Sequence, residues 1–244
     1  MTQNEAEIAV AVYCASSLGH RKAFQEAAKS VGYALAEAGR PLVYGGGNKG
    51  IMGVVSGAAL EKGGRVIGVV PYAMVAAGGE AEQLKGTAET NSARIALQER
   101  GREKIQHVVV NSMHERKLEM AKRACGFVGL PGGFGTFEEV LEVTTWSQLG
   151  IHNKSVIVLN ILGFWEPLRS LIVQGVQEGF IQPKNAELII FVDGPADHSE
   201  HDTYDWGKAT LDALNAWKPL ARPQLYDWAR RTDEQADSSV EAAT

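Results

Sequence analysis

Short runs of β-branched and aromatic residues alternate along the chain with longer stretches whose apolar positions recur every three or four residues. That alternation is the pattern of βαβ units around a parallel sheet. The runs predict seven strands, at Ile8 to Tyr13, Pro41 to Tyr44, Arg65 to Val70, His107 to Val110, Gly126 to Leu130, Ser155 to Leu159 and Leu188 to Val192. The 3.6-residue period predicts helices over 20–38, 50–62, 90–104, 113–124, 136–149 and 164–179. The expected fold class is α/β: a Rossmann-like doubly wound parallel sheet in three αβα layers. Residues 1–193 form the body of this domain, with an inserted loop rich in Ala and Gly over 72–100. Residues 194–244 form a polar, partly disordered C-terminal extension with one short helix around Asp202 to Trp217.

Ligands of such sheets bind beyond the C-terminal ends of the strands. Three glycine-rich segments fall there: Ala15-Ser-Ser-Leu-Gly19, Gly45-Gly-Gly-Asn-Lys-Gly50 and Pro131-Gly-Gly-Phe-Gly-Thr136. The chain holds 27 glycines in 244 residues, above the ~7% average, and their concentration at strand-to-helix turns points to one shared site. Ser16, Ser17, Gly45, Gly46 and Gly47 are therefore candidates to contact an anionic ligand.

Composition removes several classes of function. Lys plus Arg is 24 against 29 for Asp plus Glu, a formal charge of −5, so no basic field exists for a nucleic-acid partner. Two cysteines, Cys14 and Cys125, make neither a disulfide framework nor a zinc spacing, and read as reduced thiols in a cytosol. Met1 to Glu7 lacks the basic and apolar regions of a signal peptide, and no run approaches the ~18 apolar residues of a membrane helix. The expectation is a cytoplasmic protein without a membrane partner. His198-Ser-Glu-His201, among Asp193, Asp197 and Asp202, has the look of a metal cluster but belongs to the polar extension, and no metal or cofactor is expected.

The third glycine segment carries the most chemistry. A strand ending at Leu130 and a helix opening after Pro131-Gly-Gly-Phe-Gly-Thr-Phe-Glu-Glu139 would leave backbone N–H groups bare at a helix N-terminus, a cradle for phosphate. Gly132, Gly133, Phe134, Gly135 and Thr136 would form it. A competing reading makes Thr136 an N-cap and Glu139 its capping-box partner, which accounts for Thr and Glu but not for the glycines. The second segment is not a Walker A loop, since Lys49 precedes Gly50 and Ile51 follows it, and it fits GxGxxG poorly. It reads either as a second place of ligand approach or as a tight turn with close helix packing.

Ser112-Met-His-Glu115 is a further capping box. In the helix it opens, Met113, Met120, Ala121 and Ala124 make an apolar stripe, and Arg116 and Lys117 lie on that stripe. Two cations directed inward require an anion or carboxylate, unless both reach back to solvent. Glu139 has the matching oddity: it shares a face with Val143 and Trp146, whereas Glu138 and Glu142 share another with Thr145. Arg116 and Glu139 beside a phosphate cradle make a plausible catalytic pair.

These residues resemble a known family. Pro131 to Glu139, Met113-His-Glu-Arg-Lys117, Gly45 to Gly53 and Tyr13-Cys-Ala-Ser-Ser17, in that family's order, are similar to the LOG ("lonely guy") cytokinin riboside 5′-monophosphate phosphoribohydrolases, over about Ile8 to Pro183. The resemblance implies a homodimer or higher oligomer that hydrolyses the N-glycosidic bond of a nucleoside 5′-monophosphate to free base and ribose 5-phosphate. It implies Arg116 and Glu139 as catalytic residues, with Lys117, the Gly133 to Glu139 segment and Thr145 contacting the nucleotide substrate. The loop between Pro71 and Met113 is longer than in typical members, and a pocket glutamate of the family falls near Gln98 or Glu99. A broader AMP or CMP hydrolase and a non-catalytic nucleotide or molybdenum-cofactor carrier share the glycine motifs. A lysine decarboxylase label found among relatives finds no pyridoxal-phosphate lysine site here.

Overall fold

The computed structural model describes residues 8–76 and 102–219. Among the described residues, seven strands form one sheet: β1 (Val10–Tyr13), β2 (Leu42–Tyr44), β3 (Val66–Pro71), β4 (Gln106–Val110), β5 (Gly126–Gly129), β6 (Ser155–Leu159) and β7 (Ile189–Val192). All pairings are parallel, and the order is β4-β3-β2-β1-β5-β6-β7. The α-helices are α1 (Lys22–Glu37), α2 (Gly50–Glu61), a short α3 (Tyr72–Ala76), α4 (Met113–Arg123), α5 (Phe134–Leu149), α6 (Glu166–Gln177) and α7 (Trp206–Ala216). Each predicted strand lies within two residues of an observed one. The predicted helix over 90–104 falls mostly outside the described residues, and Arg102 to Lys104 at its end are not helical.

The alternation of β1 shows how three layers form. Val10 and Val12 pack on one side with Val31 and Leu35 of α1 and Val55 of α2, while Ala11 and Tyr13 pack on the other with Met120 of α4 and Val140 of α5. Both faces are covered, so the strands are apolar runs, and β4, at the edge, is the one that exposes residues along its length. From β1 the chain walks outward to β4, then returns to place β5 on the other side of β1. The switch point, and with it the crevice where α/β sheets bind ligands, lies between β1 and β5.

The boundary expected at residue 193 is not an edge of the packed core. Trp206 and Leu214 of α7 join the core on the α1 side, and Gly207 lets α7 lie directly on α1: a Cβ there would strike Ser30 O, and Gly207 N donates to Ser30 Oγ at 2.8 Å. The polar look of 194–205 hides a buried histidine. His201 Nδ1 accepts from Leu162 N at 2.9 Å, which leaves Nε2 to donate to Pro195 O at 2.8 Å. Both ring nitrogens are thus occupied, Nδ1 holding Leu162, the described non-glycine residue at positive φ, and Nε2 holding Pro195. No group of three metal-ligating side chains occurs among the described residues, and no helix among them is long and apolar enough to cross a membrane.

Trp206 is fully buried and its Nε1 donates to His201 O at 3.1 Å. Trp206→Ala should therefore cost about 3–5 kcal/mol of unfolding free energy, read as a lowered denaturation midpoint in urea. A separable appendage would leave the midpoint unchanged.

Candidate active site

Helices α2, α4 and α5 begin around the crevice, and each has N–H groups at its first turn that no intrahelical carbonyl can receive. Their fates differ. At α4, Ser112 Oγ accepts from Glu115 N at 3.1 Å, and Glu115 Oε2 accepts from Asn111 N at 2.7 Å, close to the expected capping box. At α2, Ile51 N and Met52 N donate to Ser17 O (3.2 Å) and Ala15 O (3.1 Å), so the loop after β1 uses that helix start. Gly50, at φ +59°, permits the approach, because a Cβ there would collide with Ser16. At Gly50 the second glycine segment thus makes a tight turn with close packing.

α5 is different. Its N-cap is Gly133, with no side-chain cap, and the first intrahelical bond runs from Phe137 N to Gly133 O at 3.0 Å. The N–H groups of Phe134, Gly135 and Thr136 meet no acceptor among the described residues. The capping-box reading of Thr136 is overturned: Thr136 sits at the third helical position, buried, with its side chain where a Cβ on Gly132 would stand. Gly133 and Gly135 are exposed, and nothing would obstruct a Cβ at either. A bare helix N-terminus carries about half a positive charge, which an anion satisfies.

These N–H groups border a chamber of about 410 Å³, in the size range of small-molecule sites. Ser16, Gly45, Gly46, Gly47, Arg116, Gly133, Phe134, Gly135, Thr136 and Glu139 all line it. Ser17, Gly132, Lys117 and Thr145 do not. Ser17 and Gly132 shape the turns behind the wall. Lys117 lies instead between α4 and α5, donating to Glu138 Oε1 at 2.7 Å and Glu142 Oε1 at 2.9 Å, and those bonds hold its pKa above the ordinary value. Thr145 is on the exposed side of α5, with Oγ1 donating to Leu141 O at 2.8 Å.

The two inward charges are separated. Arg116 is only 9% exposed; its Nη2 donates to Gly45 O at 3.2 Å and its Nη1 lies 3.8 Å from Met113 Sδ. Its Nε finds no partner among the described residues. Met113, expected on the apolar stripe, is 44% exposed and contributes a chamber wall instead. Glu139 makes no ion pair or hydrogen bond among the described residues, although Arg116 is near enough to lower its pKa. Burial outweighs that effect and raises the Glu139 carboxyl to about 7. A general acid or base with a pKa near neutrality is what proton transfer at neutral pH requires. Burial likewise pushes the Tyr13 hydroxyl and the Cys14 thiol well up, with Glu139 adding to each, so both stay protonated and Cys14 is no thiolate nucleophile.

Sequence reasoning missed part of the wall. Tyr13 and Tyr44 line the chamber from the last positions of β1 and β2, where the strand-end rule could have found them. Met52, Met74, Val75, Arg102, Ile105 and His107 gave no local signal. Arg102 reaches the wall by donating to Ser56 Oγ at 3.0 Å and Gly53 O at 2.9 Å, a contact made across 46 and 49 residues. Gln98 and Glu99 lie outside the described residues.

A family model described as possible lysine decarboxylase matches residues 52–201. A probable cytokinin riboside 5′-monophosphate phosphoribohydrolase of Oryza sativa subsp. japonica is 37% identical over 225 residues, 91% of this chain and 84% of that protein. A cytokinin riboside 5′-monophosphate phosphoribohydrolase of Arabidopsis thaliana is 40% identical over 181 residues, 74% of this chain and 75% of that one. The chain belongs to the LOG family. Among solved structures, the Moco carrier protein of Chlamydomonas reinhardtii superposes with a TM-score of 0.52 at 19% identity, over 86% of this chain and 98% of that one, a likeness of fold. The family model's description does not fit this chamber: no lysine lines it, so among the described residues it offers no amine for a Schiff base.

The Glu139 carboxyl gives a sharp test. Glu139 is ionised only above its raised pKa, so activity that needs the carboxylate should fall about tenfold per pH unit below about 7. Glu139→Gln should leave the melting temperature nearly unchanged, since no bond holds the carboxylate, and should cut kcat by roughly 10² to 10⁴ while abolishing the acidic limb of the pH profile. An unchanged pH profile in Glu139→Gln would place the essential group elsewhere.

Proposed function

We propose that the chain hydrolyses the N-glycosidic bond of nucleoside 5′-monophosphates, cytokinin-type purine nucleotides in particular, releasing the free base and ribose 5-phosphate. The observation that carries this reading is the bare N-terminus of α5 opening on the chamber that also holds an unpaired Glu139 carboxylate and an under-satisfied Arg116. The phosphate sits on the N–H groups of Phe134, Gly135 and Thr136. The ribose then lies against Glu139, one helical turn further on. The strand order puts the turn after β2, which seats Arg116, on the opposite side of β1 from α5. Arg116 thus faces the bond to the base or the base itself.

In the reaction the C1′–N bond breaks with its electron pair leaving on the base, and C1′ gains oxocarbenium character that the Glu139 carboxylate stabilises. Water adds to C1′, its proton passing to the Glu139 carboxylate, while the base nitrogen takes up one proton from solvent and Glu139 then returns its proton to solvent. Arg116, a fixed cation, stabilises negative charge on the departing base. The names of the LOG relatives, all phosphoribohydrolases of a riboside 5′-monophosphate, support the same bond.

Since phosphate binding is used at the reacting centre, removing the phosphate should lower kcat/KM by a factor of roughly 10² or more. Base release from AMP, CMP, N6-isopentenyl-AMP and the matching nucleosides measures it. Equal rates for nucleotide and nucleoside would overturn the reading, and preference for AMP or CMP would point to the broader hydrolase. Tight binding of the whole panel without turnover would favour a carrier.

The reading includes a cytoplasmic homodimer. Trp146 packs inside its own subunit, but Phe134, Leu141 and Ile151 are 91%, 44% and 43% exposed along α5 and its end. That face, which also presents Thr145, is where a second copy would bury apolar area. Light scattering at micromolar concentration should return twice the chain mass, and Leu141→Glu should shift it to the monomer.

A further inference from the structure

Gly45, Gly46 and Gly50 are glycines for different reasons. Gly46 and Gly50 have φ of +81° and +59°, where a side chain is strained, and a Cβ at either would collide with Val70 or with the Ser16 backbone. Gly45 is not in the left-handed region, so its backbone does not call for glycine. What a Cβ at Gly45 would meet is Arg116: Nη2 occupies the place, with Cζ at 3.2 Å and Met52 Sδ at 3.3 Å. The carbonyl of the same residue accepts from Nη2 at 3.2 Å. One residue thus supplies both the space for the guanidinium and its one oxygen acceptor among the described residues. The other contact is with the soft sulfur of Met113.

We infer that Gly45 is a positioning residue for Arg116: its missing side chain and its carbonyl together seat the guanidinium on the chamber wall, and its effect on the ligand passes through that arginine. A guanidinium 9% exposed with one carbonyl and one sulfur is held in place without being neutralised, its buried Nε–H left without an acceptor among the described residues, and the cation is kept from closing on Glu139. Alanine at this position has no backbone conflict, and the atoms in its way are the ends of two flexible side chains. The expected result of Gly45→Ala is a folded protein with a displaced arginine.

The kinetic part of the test rests on the nucleotide-hydrolase reading and uses Gly45→Ala, Arg116→Ala and the double variant on the best nucleotide of the panel. Gly45→Ala should keep a near wild-type melting temperature and lose roughly tenfold to hundredfold in kcat. The double variant should be within about twofold of Arg116→Ala alone, the non-additivity expected of residues acting through one group. Losses that multiply in the double variant, or wild-type turnover in Gly45→Ala, overturn the inference. A second measurement is independent of turnover. The Arg116 Nε–H resonance of the 15N-labelled full chain, assigned by its disappearance in Arg116→Lys, should move in Gly45→Ala, and an unmoved resonance overturns the inference whatever the substrate. A wild-type chain that hydrolyses no nucleotide while that resonance moves would reject the hydrolase reading and leave the seat standing.

Discussion

A helix cannot receive its own first N–H groups, and this site depends on where the chain leaves that deficit standing. Around one crevice, α4 closes its start with Ser112 and Glu115, and α2 gives its start to the carbonyls of Ala15 and Ser17. Only α5, of these three, keeps its N–H groups bare, and it does so with a glycine at the N-cap and glycine again at the second helical position. Closing two of three helix starts has a second effect: it fixes the loops after β1, β2 and β4 as rigid walls around the third. An anion arriving at α5 meets a preformed cradle and incurs little ordering cost.

The charges follow the same division of open and closed. Lys117 lies one residue from Arg116, and two carboxylates hold it between α4 and α5. Those contacts fix the distance between the helix that carries Arg116 and the helix that carries Glu139. Arg116 and Glu139 each lack the partner that burial would normally demand. A direct ion pair between them would drive the Glu139 pKa down and fill the space a ribose needs. Held apart, they leave a carboxyl near neutrality opposite a permanent cation.

How far the site was legible follows from which signals are local. The sheet was readable because strands buried on both faces are apolar runs of the right length, and the run at Ser155 to Leu159 was placed to the residue. Arg116 and Glu139 were readable because charge on an apolar helical stripe is anomalous whatever the tertiary structure. The capping box at Thr136 misled because Thr-x-x-Glu has the same spacing whether the helix begins there or three residues earlier, and only tertiary contact with Gly132 settles where it begins. Lys117 meets the carboxylates that its inward position required, but they come from another helix, so no local signal could name them. His201 and Trp206 gave no signal of burial, since a polar segment conceals two buried rings that reach the core through α1 and Leu162.

Sequence distance also divides the chamber. Arg116, Glu139 and the α5 start come from the compact run between β4 and α5, whereas Met74, Val75, Arg102, Ile105 and His107 lie immediately before or after residues 77–101. The phosphate and cleavage residues thus share no element with the far wall. In the proposed reading, that far wall borders the base. A change at Arg102 can then act on base selection through its bonds to Gly53 and Ser56, on the helix whose start lies beside the glycine turn that seats Arg116. The bond to be broken is common to every nucleoside monophosphate, and the base is what differs between them. A fold that keeps the residues for the first on one short run, and those bordering the second on another, can alter its substrate while holding its chemistry fixed.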